Sequence, residues 1–180
     1  MTLPEITFAN VLDYIGTLAF AISGIRLAST KNFDWFGAYV VGLATAIGGG
    51  TVRDLMLDVP VFWMRNGIYF LITLLALLLV VLFGKVVVRQ KYTWFIFDTI
   101  GLGMFAVIGI EKTLGVGFPF WVAIVMGSVT GAGGGVIRDV FLNEVPLIFR
   151  AEIYSVACVL GGLAYWVCSL CGWGNVPCGL

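Results

Sequence analysis

Residues 48–54 of the chain, Gly-Gly-Gly-Thr-Val-Arg-Asp, recur at residues 133–139 as Gly-Gly-Gly-Val-Ile-Arg-Asp. The two stretches are separated by 85 positions (48 to 133). Residues 13–24, DYIGTLAFAISG, match residues 98–109, DTIGLGMFAVIG, at the same separation (13 to 98). Because a common offset across such unusual residues is not expected by chance, the sequence predicts an internal duplication, with repeat one over about 8–84 and repeat two over about 93–171.

The composition around these repeats is that of an integral membrane protein. Of the 180 residues, 61% are hydrophobic and only 11% are Asp, Glu, Lys or Arg, and the mean hydropathy is +1.06. Soluble domains carry about 25% charged residues. The outer shell of a soluble domain of this size could not cover so much apolar surface.

The charged residues divide the chain into apolar segments long enough to cross a bilayer as helices, which takes about 20 residues each. The sequence therefore predicts an all-α membrane protein, with one transmembrane domain over 1–180 and no separate soluble domain. The six predicted spans are 8–28, 34–54, 66–84, 93–112, 118–138 and 151–171.

The charge balance and residue content argue against several classes of function. Ten basic residues balance ten acidic ones, and histidine is absent. Zero net charge without a basic tail argues against a nucleic-acid partner. Without histidine, a convincing metal-ligand cluster or a nucleophile beside a base, the sequence predicts no enzyme and no structural metal site.

The duplication also predicts the symmetry of the fold. Each repeat holds three spans, and an odd number makes the second copy enter the membrane from the opposite face. The copies are then related by a pseudo-two-fold axis in the membrane plane. In such inverted repeats, permeation or substrate sites lie near the midplane between the copies, so this arrangement favours transport.

The two glycine triplets have two possible interpretations. The first triplet is Gly48, Gly49 and Gly50, and the second is Gly133, Gly134 and Gly135. Three glycines destabilise a helix interior and permit a kink or an unwound stretch, which would make the second and fifth helices broken pore helices. Alternatively, small residues let transmembrane helices pack closely. The neighbouring hydroxyls are candidate pore hydroxyls or bond back to their own helices; they belong to Thr45, Thr51, Ser128 and Thr130.

An Arg-Asp pair follows each triplet: Arg53 with Asp54, and Arg138 with Asp139. Ionisable residues at membrane depth usually mark an ion or substrate path, so these four are candidate pore or gating charges. The alternative is anchoring at the membrane interface, where long basic side chains reach the headgroups. The symmetry suggests the cross-repeat pairs Arg53–Asp139 and Arg138–Asp54.

Two further carboxylates occupy equivalent positions, Asp13 and Asp98, early in the first helix of each repeat. Each is expected either to cap the start of its helix or to face an aqueous vestibule. At the end of the fourth span, Glu111 and Lys112 are expected to form an interfacial pair.

The distribution of basic residues predicts the orientation. Seven basic residues fall on one side of the six-span arrangement and three on the other, which places both termini outside. The seven are Arg26, Lys31, Lys85, Arg89, Lys91, Arg138 and Arg150; the three are Arg53, Arg65 and Lys112. The lack of long tails favours a prokaryotic inner membrane.

The doubled Gly-Gly-Gly-x-x-Arg-Asp motif resembles the prokaryotic branch of the trimeric intracellular cation (TRIC) channels, also catalogued as a glycine-transporter-domain family. The resemblance extends from Asp13 to about Arg150. It implies a homotrimer with one pore per subunit between inverted repeats, and second and fifth helices bent at the glycines. It also implies a seventh helix. Because the sequence stops at Leu180, we expect either that this helix is missing or truncated, or that the predicted sixth span is drawn incorrectly.

The leading hypothesis is therefore a channel for potassium or sodium ions, with membrane lipids and copies of itself as partners and no cofactor. A carrier for glycine or another small zwitterion is the alternative, because inverted repeats with broken helices serve carriers equally well. A non-transporting scaffold is a third hypothesis, but it gives no reason for two symmetric glycine triplets.

Overall fold

The computed structural model describes residues 8–83 and 93–150, and seven helices occupy most of these ranges. Four of the helices are long, and the other three are shorter. In chain order the helices are α1 (Phe8–Thr30), α2 (Trp35–Met56), α3 (Phe62–Arg65), α4 (Ile68–Leu82), α5 (Thr93–Gly115), α6 (Phe120–Phe141) and α7 (Leu147–Arg150).

The long helices confirm an all-helical membrane protein. The apolar stretches in α1, α2, α5 and α6 each contain 22 residues, which corresponds to about 33 Å of helix and is enough to cross a hydrocarbon core. The predicted span 66–84 is shorter as a helix, since α4 has 15 residues. The predicted span 151–171 lies outside the described residues.

The helix boundaries repeat the offset found in the sequence. The helices α1, α2 and α3 begin at residues 8, 35 and 62, and α5, α6 and α7 begin at 93, 120 and 147. The turns repeat it as well, because Asp58 after α2 and Asn143 after α6 have positive φ angles of 53° and 54°. The duplication is thus present in the backbone and not only in the residue pattern.

The helix α1 lies at the centre of the described structure and packs against α2, α4 and α5. Its buried face contributes Phe20, Ala21, Ile25 and Ala28 to the hydrophobic core. Because the lipid-facing sides of the other helices are also apolar, burial cannot be inferred from hydrophobicity alone. Small residues let these helices approach each other closely.

Contacts between equivalent helices show their relative direction. Gly16, in the first half of α1, lies near Met104 in the middle of α5, whereas Ser23, further along α1, bonds Asp98 near the start of α5. The helices α1 and α5 therefore run antiparallel. The helices α2 and α6 also run antiparallel, because residues further along one of these helices contact residues less far along the other.

Both triplets are α-helical throughout, within the unbroken helices α2 and α6. The expectation of unwound, broken pore helices at these glycines is therefore wrong. Helical hydrogen bonding continues through the triplets because a tightly packed neighbouring helix takes up the space that the missing side chains leave. A bend of the helix axes at the triplets stays a prediction.

Candidate functional site

The two glycine triplets meet where α2 crosses α6. A Cβ atom added at Gly49 would overlap the carbonyl oxygen of Thr130, and one added at Gly134 would overlap that of Thr45. A Cβ atom at Gly133 would lie 3.1 Å from the Cα atom of Gly49. The helices thus touch backbone to backbone, which only glycine permits.

Side chains from neighbouring helices pack against the two outer glycines of the triplet in α2. A Cβ atom at Gly48 would lie 2.6 Å from Ile137 Cδ1, and one at Gly50 would lie 2.6 Å from Phe62 Cε1. The triplet in α2 therefore accommodates α6 on one side and the short helix α3 on another. Gly135 lies buried near the end of α6, beside the Arg-Asp pair.

The four hydroxyls predicted near the triplets all bond back to the carbonyl four residues earlier. Thr45 donates to Val41 O at 2.6 Å, and Thr130 donates to Met126 O at 2.6 Å; both threonines are fully buried. Thr51 and Ser128 do the same with residues 47 and 124. Thr51 also accepts a hydrogen bond from Trp63 Nε1 of α3 at 3.0 Å.

Asp54, at the end of α2, is the centre of a first charged group, which we call the Asp54 cluster (Arg53, Asp54, Phe62 and Lys112). Its carboxylate is fully buried and accepts from Arg53 Nε at 2.8 Å. Lys112 of α5 donates to both oxygens at 2.8 and 2.9 Å. The backbone N–H of Phe62 donates to Oδ2 at 3.0 Å, so Asp54 also anchors the first turn of α3.

Aromatic rings line the Asp54 cluster. The Phe62 ring centre lies 5.9 Å from Arg53 Cζ and 6.0 Å from Lys112 Nζ, distances typical of cation–π contacts. The Tyr69 ring meets Phe62 edge-on, and its hydroxyl donates to Asp13. A network of carboxylates, cations and rings thus joins α1, α2, α3, α4 and α5.

The second charged group, the Asp139 cluster (Ser23, Asp98, Arg138 and Asp139), repeats part of this geometry. Arg138 Nε donates to Asp139 Oδ1 at 2.8 Å, and Leu147 N donates to Asp139 Oδ2 at 3.0 Å. Arg138 also forms an ion pair with Asp98 and donates to Ser23 Oγ at 2.8 Å. Its guanidinium is completely buried and faces the Trp94 ring at 5.7 Å.

The predicted cross-repeat ion pairs are wrong. Arg53 bonds Asp54 and Arg138 bonds Asp139, each within its own helix, because the two motifs lie at opposite ends of antiparallel helices. Within the described residues, the ion pairs that join the halves are instead Lys112 with Asp54 and Lys31 with Glu144. Lys112 is therefore not simply half of an interfacial pair with Glu111.

The capping role expected for Asp13 and Asp98 is also wrong. The helices α1 and α5 begin five residues before these aspartates, at Phe8 and Thr93. Asp13 binds the Tyr69 hydroxyl, and Asp98 binds Arg138 and Ser23. The only sequence signal that pointed to these two aspartates is that they share the 85-residue offset of the motifs.

The site therefore consists of a tight glycine crossing between two charged clusters. Since α2 and α6 run antiparallel, the ends that carry Asp54 and Asp139 lie at opposite ends of the helix pair. Phe62 and Lys112 complete the Asp54 cluster, and Ser23 and Asp98 complete the Asp139 cluster. The sequence motif alone does not identify these residues as partners of its charges. Over residues 8–83 and 93–150, no group of three or more carboxylate, histidine or cysteine side chains could hold a metal ion.

Comparison with known proteins gives consistent results for this chain. The domain family described as "Glycine transporter" matches residues 10–85 and 95–169. The UPF0126 inner membrane protein YadS of Escherichia coli strain K12 is 41% identical over 160 residues, which cover 86% of this chain and 75% of YadS.

Two solved structures share the fold along nearly the whole chain. The TRIC trimeric intracellular cation channel orthologue from Rhodobacter sphaeroides has a TM-score of 0.86 and 35% identity, covering 93% of this chain and 86% of that one. A prokaryotic TRIC channel in 0.5 M KCl has a TM-score of 0.86 and 30% identity, covering 94% and 87%. With a family domain matched in both halves and relatives above 30% identity, the chain belongs to the prokaryotic TRIC channel family, whose shared domain is described as a glycine transporter.

Proposed function

We propose that this chain forms a channel for potassium and other monovalent cations. The observation that carries the proposal is its similarity to the TRIC cation channel orthologue from Rhodobacter sphaeroides, with 35% identity and a TM-score of 0.86. A third similar structure bears the description "Structural basis for conductance through TRIC cation channels", with 36% identity and a TM-score of 0.80. The permeating ion is the only small ligand that this function requires.

The pore would run between two inverted repeats, one path in each subunit. The antiparallel pairs α1 with α5 and α2 with α6 support this symmetry, because equivalent helices of inverted repeats must run in opposite directions. The buried charges at both ends support an ion path, since such groups are costly in a membrane. The four motif charges, Arg53, Asp54, Arg138 and Asp139, would then organise its two mouths.

In this proposal the glycine crossing is the closed constriction of the pore. At Gly49 and Gly134 the two helix backbones are in contact and leave no room for an ion. Conduction therefore requires α2 and α6 to separate there, as the two halves shift against each other. The proposed assembly is a homotrimer in a prokaryotic inner membrane, by analogy with the relatives described as trimeric channels and inner membrane proteins.

A carrier for glycine or a similar zwitterion is the second candidate function. The family description "Glycine transporter" favours it directly. The same glycine crossing would then act as the hinge of alternating access and not as a channel gate. Channel and carrier differ in their kinetics, because a carrier changes conformation once for each substrate that it moves.

Planar bilayers containing the purified protein distinguish the two functions. Under a potassium gradient, a cation channel gives discrete current steps that reverse near the potassium equilibrium potential, with or without glycine. A carrier gives no steps, but liposomes of the same preparation show saturable glycine uptake and counterflow. Absence of both current and uptake would contradict both candidates.

A matched pair of variants tests the proposed constriction. Gly134→Ala adds a methyl group against the Thr45 carbonyl, whereas Gly103→Ala adds one where no atom lies within 4 Å. We expect Gly134→Ala to change the open probability and Gly103→Ala to leave it as in the parent protein. Equal currents from both variants and the parent would show that the crossing is not part of the gate.

A further inference from the structure

The rings of Phe20 and Phe105 are in contact, although they come from opposite halves of the chain. The two positions differ by the 85 residues of the duplication (20 to 105), and each lies in the middle of a 23-residue helix, α1 or α5. The ring centres are 5.2 Å apart, with 46° between the ring planes. Gly49 and Gly134 are a second pair of equivalent residues in contact. Residues that touch their own counterparts lie where the two halves face each other, so the rings and the glycine crossing share that boundary.

The four long helices enclose an interior in which these rings lie. Within the described residues, α1 and α6 each pack against both α2 and α5, whereas α1 contacts α6, and α2 contacts α5, much less. The helices therefore form a ring, with α1 opposite α6 and α2 opposite α5. Two hydrogen bonds cross the interior between opposite helices, one near each end: Lys112 with Asp54, and Arg138 with Ser23. The interior thus runs from the Asp54 cluster to the Asp139 cluster.

Both aromatic rings fill this interior at mid-length, and glycines make the room for them. Phe20 is completely buried, and Phe105 is 4% exposed. A Cβ atom added at Gly101 of α5 would overlap the Phe20 ring, and one added at Gly134 of α6 would lie 3.3 Å from it. A Cβ atom at Gly16, the counterpart of Gly101, would lie 3.4 Å from the Phe105 ring. Phe20 is therefore the more tightly held ring, in a notch between α5 and α6, both of which belong to the other half of the chain.

We propose that Phe20 and Phe105 form a hydrophobic gate, in which two apolar rings keep water and ions out of the middle of the helix ring until Phe20 leaves its notch. The inference rests on the proposed channel function. Hydrophobic constrictions close pores by dewetting, because apolar side chains offer no oxygen atoms to replace the hydration shell of an ion. Separation of α2 from α6 moves Gly134, which forms one wall of the notch. The glycine crossing and the ring pair therefore open together.

The first test compares Phe20→Ala with Ile25→Ala on the same helix. Ile25 is also buried and fills a glycine notch, at Gly42 of α2, but both residues belong to one half of the chain. Both variants remove a buried side chain and leave a cavity. In planar bilayers, the open probability of Phe20→Ala should rise about tenfold, the upper range expected for losing an aromatic pair, and that of Ile25→Ala should match the parent. An equal rise in both variants, or no rise in Phe20→Ala, would overturn the proposal.

A second pair of variants separates the exclusion of water from the filling of space. Phe20→Met and Phe20→Gln place side chains of nearly equal size at the gate, one apolar and one polar. A buried amide without hydrogen-bond partners is costly, so glutamine disfavours the dry, closed state and methionine retains it. We expect the open probability of Phe20→Gln to exceed that of Phe20→Met about tenfold. Equal open probabilities would show that the rings do not close the path by excluding water.

A labelling measurement separates this inference from the channel function itself. In liposomes, and with the four native cysteines changed to serine, an ethylammonium methanethiosulfonate reagent should modify Phe20→Cys and not Ile25→Cys, as measured by the mass of the protein. If the parent carries no potassium current but Phe20→Cys reacts, the channel proposal fails while an aqueous path past the rings stands. If the parent conducts and Phe20→Cys reacts no faster than Ile25→Cys, the ion path does not pass the rings and the inference is wrong.

Discussion

Arg53 and Arg138 occupy equivalent positions but are bound differently by their surroundings. Arg138 is completely buried and pairs with two carboxylates, Asp98 and Asp139. Arg53 pairs with Asp54, which also has Lys112 as a partner. Removing a partner from a buried ion pair is costly because the remaining charge is left in a medium of low polarity.

We therefore predict that Arg138→Met destabilises the protein more than Arg53→Met. Loss of Arg138 leaves two buried carboxylates without their guanidinium, at a cost of roughly 3–5 kcal/mol. After loss of Arg53, Lys112 still neutralises Asp54, so a smaller cost is expected. Thermal unfolding of both variants in detergent provides the comparison.

A double variant checks the physical reason for this difference. Adding Asp98→Asn to Arg138→Met should recover part of the lost stability, because one unpaired buried charge is removed. The same Asp98→Asn change alone should be destabilising. Simple additivity of the two single effects would show that Arg138 and Asp98 do not depend on each other.

At the level of helix packing, the stability of the protein depends on the contact between α2 and α6. An alanine at Gly134 would overlap the Thr45 carbonyl, and the backbone can relieve this only by moving one helix. Overpacking of this kind costs roughly 1–3 kcal/mol, although alanine regains about 1 kcal/mol of helix propensity over glycine. The sign of the net effect therefore tests how rigid the crossing is.

We predict that Gly134→Ala and Gly49→Ala each lower the unfolding midpoint, whereas Gly103→Ala leaves it unchanged or raises it slightly. Gly103 has no atom within 4 Å of its added Cβ, so only the gain in helix propensity remains. Denaturant titrations monitored by circular dichroism measure the three midpoints. A midpoint for Gly134→Ala at or above that of Gly103→Ala would mean that the helices separate easily at the crossing.

For the whole molecule, the proposed inverted arrangement predicts which side of the membrane each of two equivalent loops faces. Lys31 and Val116 are exposed, lie in equivalent turns between long helices, and should reach opposite sides of the membrane. In a cysteine-free background, a membrane-impermeant maleimide applied to whole cells should label Val116→Cys and not Lys31→Cys. Labelling of both from the same side would contradict the inverted repeat, and the reverse pattern would place the N-terminus inside.

The loops at one end of the molecule give a second test of the overall arrangement. Lys31, between α1 and α2, forms an ion pair with Glu144, between α6 and α7. Cysteines at both positions should therefore cross-link within one chain under mild oxidation. A paired control, Val116→Cys with Glu144→Cys, should give no such product, because those loops lie at opposite ends.

The proposed homotrimer leads to a prediction about the mass of the assembled protein. A homotrimer in mild detergent should have a native mass of three chains after the bound detergent is subtracted. Monomeric or dimeric protein that still conducts would contradict the proposed assembly while leaving the one-pore-per-subunit arrangement possible. Measuring mass and current on the same preparation connects the two results.

The residue pattern by itself determined the helical membrane class, the duplication and its period. Apolar length and charge spacing act locally, so they placed α1, α2, α5 and α6 within a few residues of their observed ends. The offset of 85 residues between the Gly-Gly-Gly-x-x-Arg-Asp motifs also holds for the starts of the three helix pairs described in both halves, α1 with α5, α2 with α6 and α3 with α7. Local chemistry is sufficient for these features because a lipid environment leaves few alternatives to the helix.

Only the tertiary structure decided which partners the charged and small residues find. Glycines that permit an unwound helix also permit close helix contact, and the crossing at Gly49 and Gly134 depends on where α6 lies. Likewise, Asp54 binds Lys112 from 58 residues away, and Arg138 binds Asp98 from 40 residues away. Such pairings depend on the direction and rotation of packed helices, which short-range sequence spacing does not contain.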